Sequence, residues 1–130
     1  MKRSQLLIQL SREHHAALVM AKRARAIEAD ASLQFLRDFE KRWNKELAPH
    51  FAEEEHLLLP LLEAAGEVGL VERLRSDHHQ LQALSRRLIE GEAEAAEPFG
   101  ILLADHVRFE ERELFPRYEK LSDANSVKHP

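Results

Sequence analysis

Two stretches of this sequence match each other closely. Residues 50–60 read HFAEEEHLLLP, from His50 to Pro60, and residues 106–116 read HVRFEERELFP, from His106 to Pro116. Both follow the pattern His-x-x-x-Glu-Glu, and in both a proline stands ten residues after the histidine. Two further stretches correspond, because SREHH at residues 11–15 and RSDHH at residues 75–79 each place an acidic residue before a pair of histidines. The chain is therefore an approximate twofold repeat.

The residues around these motifs favour helices. Four glycines and five prolines among 130 residues supply little turn chemistry for a sheet, whereas Leu, Ala, Glu and Arg are abundant. Apolar residues at helical spacing predict helices at about residues 4–28, 32–65, 68–90 and 98–121, the third beginning at Val68 or Leu70. Short connections between four helices predict an all-α, up-down-up-down antiparallel four-helix bundle.

Local signals mark the helix faces and ends. Four residues repeat at helical spacing on the first helix: Leu7, Leu10, Leu18 and Ala21. The run 30–32 (Asp-Ala-Ser) supplies a turn and an N-cap for the second helix. Pro49 lacks a backbone donor, so we expect a kink or break just before it. Gly66 and Gly91 end the second and third helices, and Pro98 suits the first turn of the fourth.

Length and composition limit the possible classes. A chain of 130 residues predicts one domain, which we place at residues 1–121, with a polar and disordered tail at 122–130. The absence of cysteine excludes disulfides, thiolate metal sites and a cysteine nucleophile. A net charge of −4 without a basic block disfavours nucleic acid as a partner. No run is apolar enough for a membrane span or a signal peptide, so we expect a cytoplasmic protein.

The repeated motif suits a metal site. Histidine and glutamate four residues apart lie on one helix face, which pairs His50 with Glu54 and His106 with Glu110. In an antiparallel bundle, one inward histidine from each remaining helix meets these pairs at mid-height. Four imidazoles and two carboxylates suit two iron or manganese ions that share both carboxylates better than one four-coordinate zinc. The coordination positions left over predict a solvent-derived bridge and an open position for a small molecule.

The first and third helices each offer two adjacent histidines, about 100° apart around the helix axis, of which one can face the interior. The residues seven and four before His78 and three after it are apolar: Val71, Leu74 and Leu81. The corresponding residues around His79 are polar: Glu72, Arg75 and Gln82. His14 has apolar neighbours in the same way, whereas Lys22 follows His15 by seven residues. We expect His14 and His78 to face the core, and His15 and His79 to be solvated or to support the ligands from outside.

With these residues placed, the chain resembles the hemerythrin-like family of HHE cation-binding domains, whose pattern is His, His-x-x-x-Glu, His, His-x-x-x-Glu over four helices. The resemblance covers residues 1 to about 121. It implies a non-haem diiron centre with an oxo or hydroxo bridge, in which both glutamates bridge the metals, bound by His14, His50, Glu54, His78, His106 and Glu110. Gln82 stands where the oxygen carriers have a fifth histidine, which disfavours reversible oxygen carriage. Glu111 stands where they have an aspartate, so either Glu110 or Glu111 could face the metals.

The other polar and aromatic residues have simpler interpretations. We expect four glutamates to form a solvated face, with hydrogen bonding to the imidazoles as the less favoured alternative: Glu53, Glu55, Glu111 and Glu113. His56 and His129 are expected to have no role. The aromatic residues at helical spacing are expected in the core: Trp43, Phe51, Phe109, Phe115 and Tyr118. Phe51 and Phe109 lie next to ligand positions and could narrow access to the metals.

The ligand set and the resemblance favour a protein that binds or reacts with oxygen, nitric oxide or hydrogen peroxide, as a sensor, scavenger or carrier. The alternative is an iron storage, delivery or iron-site repair protein, although the repair members of the family carry a cysteine-bearing segment that this chain lacks. A dedicated enzyme is disfavoured, because the sequence offers no evident substrate pocket, general base or motif for electron uptake. The protein partner and the oligomeric state stay open.

Overall fold

A computed structural model describes residues 5–26 and 33–127 of the chain. The described part is an all-α bundle of four long helices, as the sequence predicts. Helix α1 is Gln5–Arg25, and α2 consists of Leu33–Arg42, a π-helical segment Trp43–Leu47, and Ala48–Ala64. Helix α3 is Val68–Ile89. A 3₁₀ turn, Ala93–Ala95, leads into α4, which consists of Ala96–Phe109, a π-helical segment Glu110–Leu114, and Phe115–Val127.

The helix ends near the glycines follow the sequence prediction. Gly66 and Gly91 have φ angles of 75° and 98°, the left-handed conformation that ends a helix at little cost for glycine. At both ends the next residue donates back to the helix, since the amides of Glu67 and Glu92 lie 3.0 Å from the carbonyls of Leu62 and Arg87. The loops at these two glycines connect α2 to α3 and α3 to α4. Because both loops are short, each pair of connected helices is antiparallel.

The irregularity expected just before Pro49 takes the form of a π-helical segment. The amide of Ala48 bonds the carbonyl of Trp43 there, and α2 continues past the proline without a break. Helix α4 extends to Val127 instead of ending near Leu121, since no glycine or proline interrupts 122–127 and extending an existing helix costs little. Residues 122–127 are therefore helical and not a disordered tail. The predicted turn and N-cap at 30–32 lie outside the described residues.

One residue of α1, Leu18, does not lie on the buried face where its spacing placed it. Most of the buried residues of α1 follow steps of three and four, namely Leu7, Leu10, His14, Ala17, Ala21 and Ala24, and Met20 is buried beside them. Ala17, one position before Leu18, follows His14 on this stripe, so Leu18 is displaced toward the surface and its side chain is 41% exposed. The prediction that Leu18 faces the core is wrong.

The apolar interior forms two clusters, with the polar motif residues between them. The Phe99 cluster lies at the end of the bundle where α1 ends and α4 begins, and it includes Trp43 and Phe51. The Phe115 cluster lies at the other end and includes Phe109. Four of the five aromatic residues predicted for the core are buried there, whereas Tyr118 is half-buried beside the Phe115 cluster. In the described ranges, no helix is long and apolar enough to cross a bilayer.

Helices α1 and α4 pack with little space between their backbones. A Cβ atom added to Gly100 of α4 would come within 2.5 Å of the Ala21 carbonyl oxygen and of Arg25 Cγ on α1. The buried α1 residues that follow His14 include Ala17, Ala21 and Ala24, whose small side chains permit the same close approach.

Substitution of the two helical glycines should therefore have opposite results. Gly100→Ala should lower the free energy of unfolding by about 1–3 kcal/mol, because α1 must move away from the new methyl group. Gly69→Ala is the matched control, since no atom lies within 4 Å of its added Cβ; the gain in helix propensity should leave stability unchanged or raise it by up to about 1 kcal/mol. Urea denaturation of both variants checks this, and equal stability of the two would contradict the close packing.

Candidate metal centre

The four helices bring six motif residues to the layer between the two apolar clusters, one each from α1 and α3 and two each from α2 and α4. All six predicted residues are buried: His14 from α1, His50 and Glu54 from α2, His78 from α3, and His106 and Glu110 from α4. The two glutamates and His106 have no exposed surface at all. The side chains that the sequence analysis selected therefore lie together in the interior.

The imidazole Nε2 atoms converge on the two glutamates. Glu54 lies 3.2 Å from Nε2 of His50 and 3.1 Å from Nε2 of His78. Glu110 lies 2.9 Å from Nε2 of His14 and 3.3 Å from Nε2 of His106. Each glutamate therefore links a histidine from one half of the repeat to a histidine of the other half.

These atoms form two groups, each capable of holding one ion. The first comprises His14, His50, Glu54 and Glu110, and the second comprises Glu54, His78, His106 and Glu110. Within each group, one ligand atom from every residue lies within 4.8 Å of all the others. Both glutamates belong to both groups, so two adjacent ions at these positions would share both carboxylates.

A second set of carboxylates holds the opposite side of each imidazole. Four pairs join an Nδ1 atom to a carboxylate oxygen: His14 to Glu111 at 2.9 Å, His50 to Glu13 at 2.6 Å, His78 to Glu55 at 2.9 Å, and His106 to Asp77 at 2.9 Å. The twofold repeat holds here too, because Glu13 and Asp77 precede the inward histidines, whereas Glu55 and Glu111 follow the central glutamates. A carboxylate only accepts, so each Nδ1 carries a hydrogen that it donates to its outer acid. Nε2 then either carries a second hydrogen, donated to a central glutamate, or offers its lone pair to a metal ion.

This arrangement corrects the expectation for two of the four flanking glutamates. Glu55 and Glu111 are not simply part of a solvated face, since each binds the imidazole of a histidine on a neighbouring helix. Glu53 and Glu113 are exposed, as expected. Glu13 and Asp77 were not predicted as partners of the imidazoles, although an acidic residue stands before each histidine pair in both halves of the repeat.

Two of the outer carboxylates have partners of their own. Ser11 Oγ donates to Glu111 at 2.7 Å. Arg73 Nε donates to Asp77 at 3.3 Å, and the Arg73 guanidinium lies 4.5 Å from the ring centre of Phe109. His14 and His106 are therefore held by carboxylates that are themselves fixed in place.

The choice between adjacent histidines is confirmed in both helices. His14 and His78 are buried, whereas His15 and His79 are exposed. His56 is also exposed, and His129 lies outside the described residues. Binding of metal by the six interior residues stays a prediction.

Aromatic rings cover parts of this layer. Phe51 stacks on His78 with ring centres 4.3 Å apart and also contacts His106 and His50 edge-on. Phe115 stacks on His14 at 5.4 Å. Phe51 is thus placed where it can restrict access, as the sequence suggested, whereas Phe109 lies 6.3 Å from His106 within the Phe115 cluster.

The charges of this layer perturb its pKa values strongly. Burial disfavours protonated His14, but hydrogen bonds to Glu110 and Glu54 outweigh burial and raise its pKa to about 10. Burial is likewise outweighed at His106, where the Glu110 charge and the hydrogen bond to Asp77 raise the pKa well above its usual value. Burial raises the pKa of Glu110, and the nearby Glu54 carboxylate raises it further. Positive charge is therefore favourable at this layer, whether protons or metal ions supply it.

The unsatisfied atoms fit a bound metal. Among the residues that the structure describes, three buried side-chain atoms have no hydrogen-bond partner: Nε2 of His50 and Oε2 of Glu54 and Glu110. All three belong to the two groups of ligand residues. In addition, Nε2 of His78 lies 3.1 Å from Nε2 of His106, so two lone pairs would face each other without a cation nearby. Nitrogen and carboxylate donors in this arrangement suit a divalent ion.

Comparison with known proteins agrees with this geometry. Residues 6–118 match the family model described as Hemerythrin HHE cation binding domain. The searches of curated proteins and of solved structures found no significant match. The matched range contains α2 and α3, all but the first residue of α1, and α4 as far as residue 118, with every residue of the two ligand groups. The chain therefore belongs to the hemerythrin HHE cation-binding domain family.

Proposed function

We propose that this chain is a non-haem diiron protein that binds or reacts with a small diatomic or peroxide ligand: oxygen, nitric oxide or hydrogen peroxide. The observation that carries the proposal is the pair of ligand groups that share Glu54 and Glu110. A structural zinc site is closed by four ligands of its own, whereas shared carboxylates are typical of paired iron or manganese ions. Such a pair supplies redox chemistry and open coordination positions for a small ligand.

The residues of the chain divide this task among them. The Nε2 atoms of the four histidines and the two central glutamates would hold the ions. The outer carboxylates fix the orientation of each imidazole and keep its Nδ1 protonated, which makes Nε2 the donor atom. The two apolar clusters above and below exclude water from the layer.

Reconstitution with ferrous iron under anaerobic conditions tests the proposal. Elemental analysis should give two irons per chain after gel filtration, because each ligand group offers enough donor atoms for one ion. Zinc in equal amount should not displace both ions. One tightly held metal per chain, with zinc preferred, would overturn the diiron proposal, and many irons per chain would favour the alternative of iron storage.

Three consecutive glutamates on α2 should behave differently when replaced. Glu54→Ala should remove at least one iron per chain, because its carboxylate belongs to both ligand groups. Glu55→Gln retains an acceptor for His78 but loses the charge, so metal affinity should fall about 10-fold or more while the stoichiometry stays at two. Glu53→Ala, exposed and adjacent, is the control and should match the parent chain. Equal iron content in the Glu53 and Glu54 variants would contradict the assigned roles.

The metal-free protein should lose stability as pH rises. His14 has a pKa raised to about 10, so the stability from its protonated form is complete below its unfolded pKa, near 6.5, and is lost as pH rises toward 10. Thermal melting between pH 6.5 and 10 should therefore show a falling Tm. His14→Gln should reduce this fall, whereas His15→Gln, an exposed neighbour, should leave it unchanged. A Tm that rises over this range in the parent chain would contradict the assigned charge balance.

A further inference from the structure

The twofold repeat makes the α1–α4 and α2–α3 interfaces equivalent in sequence, but the two pairs of helices differ in how closely they pack. The small residues of α1 that face the core after His14 are Ala17, Ala21 and Ala24, and the equivalent α3 residues, 64 positions later, are Leu81, Ser85 and Leu88. The alanines, with Gly100, let α1 and α4 approach closely. Leucines at the same positions of α3 require more room, and a cleft lies between α2 and α3.

This α2–α3 cleft leads to one half of the metal centre. It has a volume of about 640 Å³, and its wall includes His78 and the carboxylate that holds it, Glu55. Gln82, one turn beyond His78, also lines the cleft, whereas Leu18 occupies the equivalent position after His14. The cleft therefore reaches the outer, Nδ1 side of His78, whereas Ala21 and Gly100 hold α1 and α4 close together on the equivalent side of the repeat.

The chemistry of the cleft suits a small uncharged molecule. Its α2 wall is largely apolar and is formed by Trp43, Ala48, Phe51 and Ala52. Its main charges are already paired, because Arg75 binds Glu63 at 3.2 Å and Glu55 binds His78 at 2.9 Å. Neither pair leaves a cation free to bind an anion. An apolar diatomic molecule, by contrast, can contact apolar side chains as far as Phe51, whose ring stacks on His78.

A second cleft between α1 and α2 is a weaker candidate for this approach. It reaches His50 but has half the volume, about 320 Å³. Its lining combines charged and apolar residues: Glu13, Lys45, Glu46 and Glu53 with Ala16, Ala17, Met20, Leu47 and Pro49. A third groove, on the outer face of α1 and α4, includes Leu18 and Ile101 and touches none of the six ligand residues.

From these contrasts we propose that a neutral diatomic molecule, such as oxygen or nitric oxide, reaches the metal centre through the α2–α3 cleft and arrives at the half held by His78 and His106. This inference rests on the proposed function and deepens it, since it selects uncharged diatomics over peroxide or anions and one half of the centre over the other.

A pair of alanine substitutions tests the route. Ala52→Phe places a ring in the α2–α3 cleft, and Ala52 is exposed, so the variant should fold. Ala16→Phe places the same ring in the α1–α2 cleft and is the matched control. In stopped-flow mixing of nitric oxide with the ferrous protein, Ala52→Phe should lower the association rate constant about tenfold or more, whereas Ala16→Phe should leave it near the parent value.

The single tryptophan provides a second measurement that needs no iron. Trp43 lines the α2–α3 cleft, so dissolved oxygen should quench its fluorescence in the zinc-loaded protein, and Ala52→Phe should reduce the quenching constant while Ala16→Phe does not. If the parent ferrous protein binds no nitric oxide, the proposed function fails, and the quenching result alone decides whether the cleft admits a diatomic. Slower association in Ala16→Phe but not in Ala52→Phe, or equal quenching in all three proteins, would overturn the cleft as the route.

Discussion

Each imidazole at the centre of this bundle lies between two carboxylates, and the rest of the structure depends on that contact. On the Nε2 side the partner is Glu54 or Glu110, and on the Nδ1 side it is one of the four outer acids. Six carboxylates thus surround four histidines in a layer between two apolar clusters. Three of these acids, Glu54, Glu110 and Asp77, are buried, and their burial is costly unless positive charge accompanies them. Protons can supply that charge, and metal ions supply it without leaving the Nε2 lone pairs and glutamate oxygens unpartnered.

The repeat explains how a short chain builds this layer. Each half contributes an acidic residue and a histidine on its first helix, and a histidine followed by two glutamates on its second. The acid on the first helix binds the histidine on the second within one half, whereas the second glutamate binds the inward histidine of the other half. The two halves are therefore joined by contacts that neither can make alone. Their difference in residue size, alanine on α1 and leucine on α3, leaves the centre symmetric in its ligands and asymmetric in its access.

The bundle and the burial of the six motif residues were predictable from the sequence because both depend on helical periodicity. The apolar residues around His78 and the polar ones around His79 decide which ring faces inward, and the structure agrees. Helical periodicity did not predict contacts in which a side chain reaches a residue of the neighbouring helix. Glu55 and Glu111 point partly toward solvent on their own helices, yet they are long enough to reach an imidazole on the next. Periodicity also failed for Leu18, because a one-residue shift along the stripe moves a side chain to the surface. Pro49 indicated that α2 is irregular at this point, but not that the irregularity is a π-helical segment, which depends on backbone bonds.

Crystals of the chain loaded with ferrous iron, measured at the iron absorption edge, test the central claim most directly. The account predicts two anomalous peaks, roughly 3.5–4 Å apart as is usual for paired metal sites. One peak should lie beside His14 and His50 and the other beside His78 and His106, with Glu54 and Glu110 between them. A single peak at the centre of all six residues, or iron found only at surface carboxylates, would contradict it.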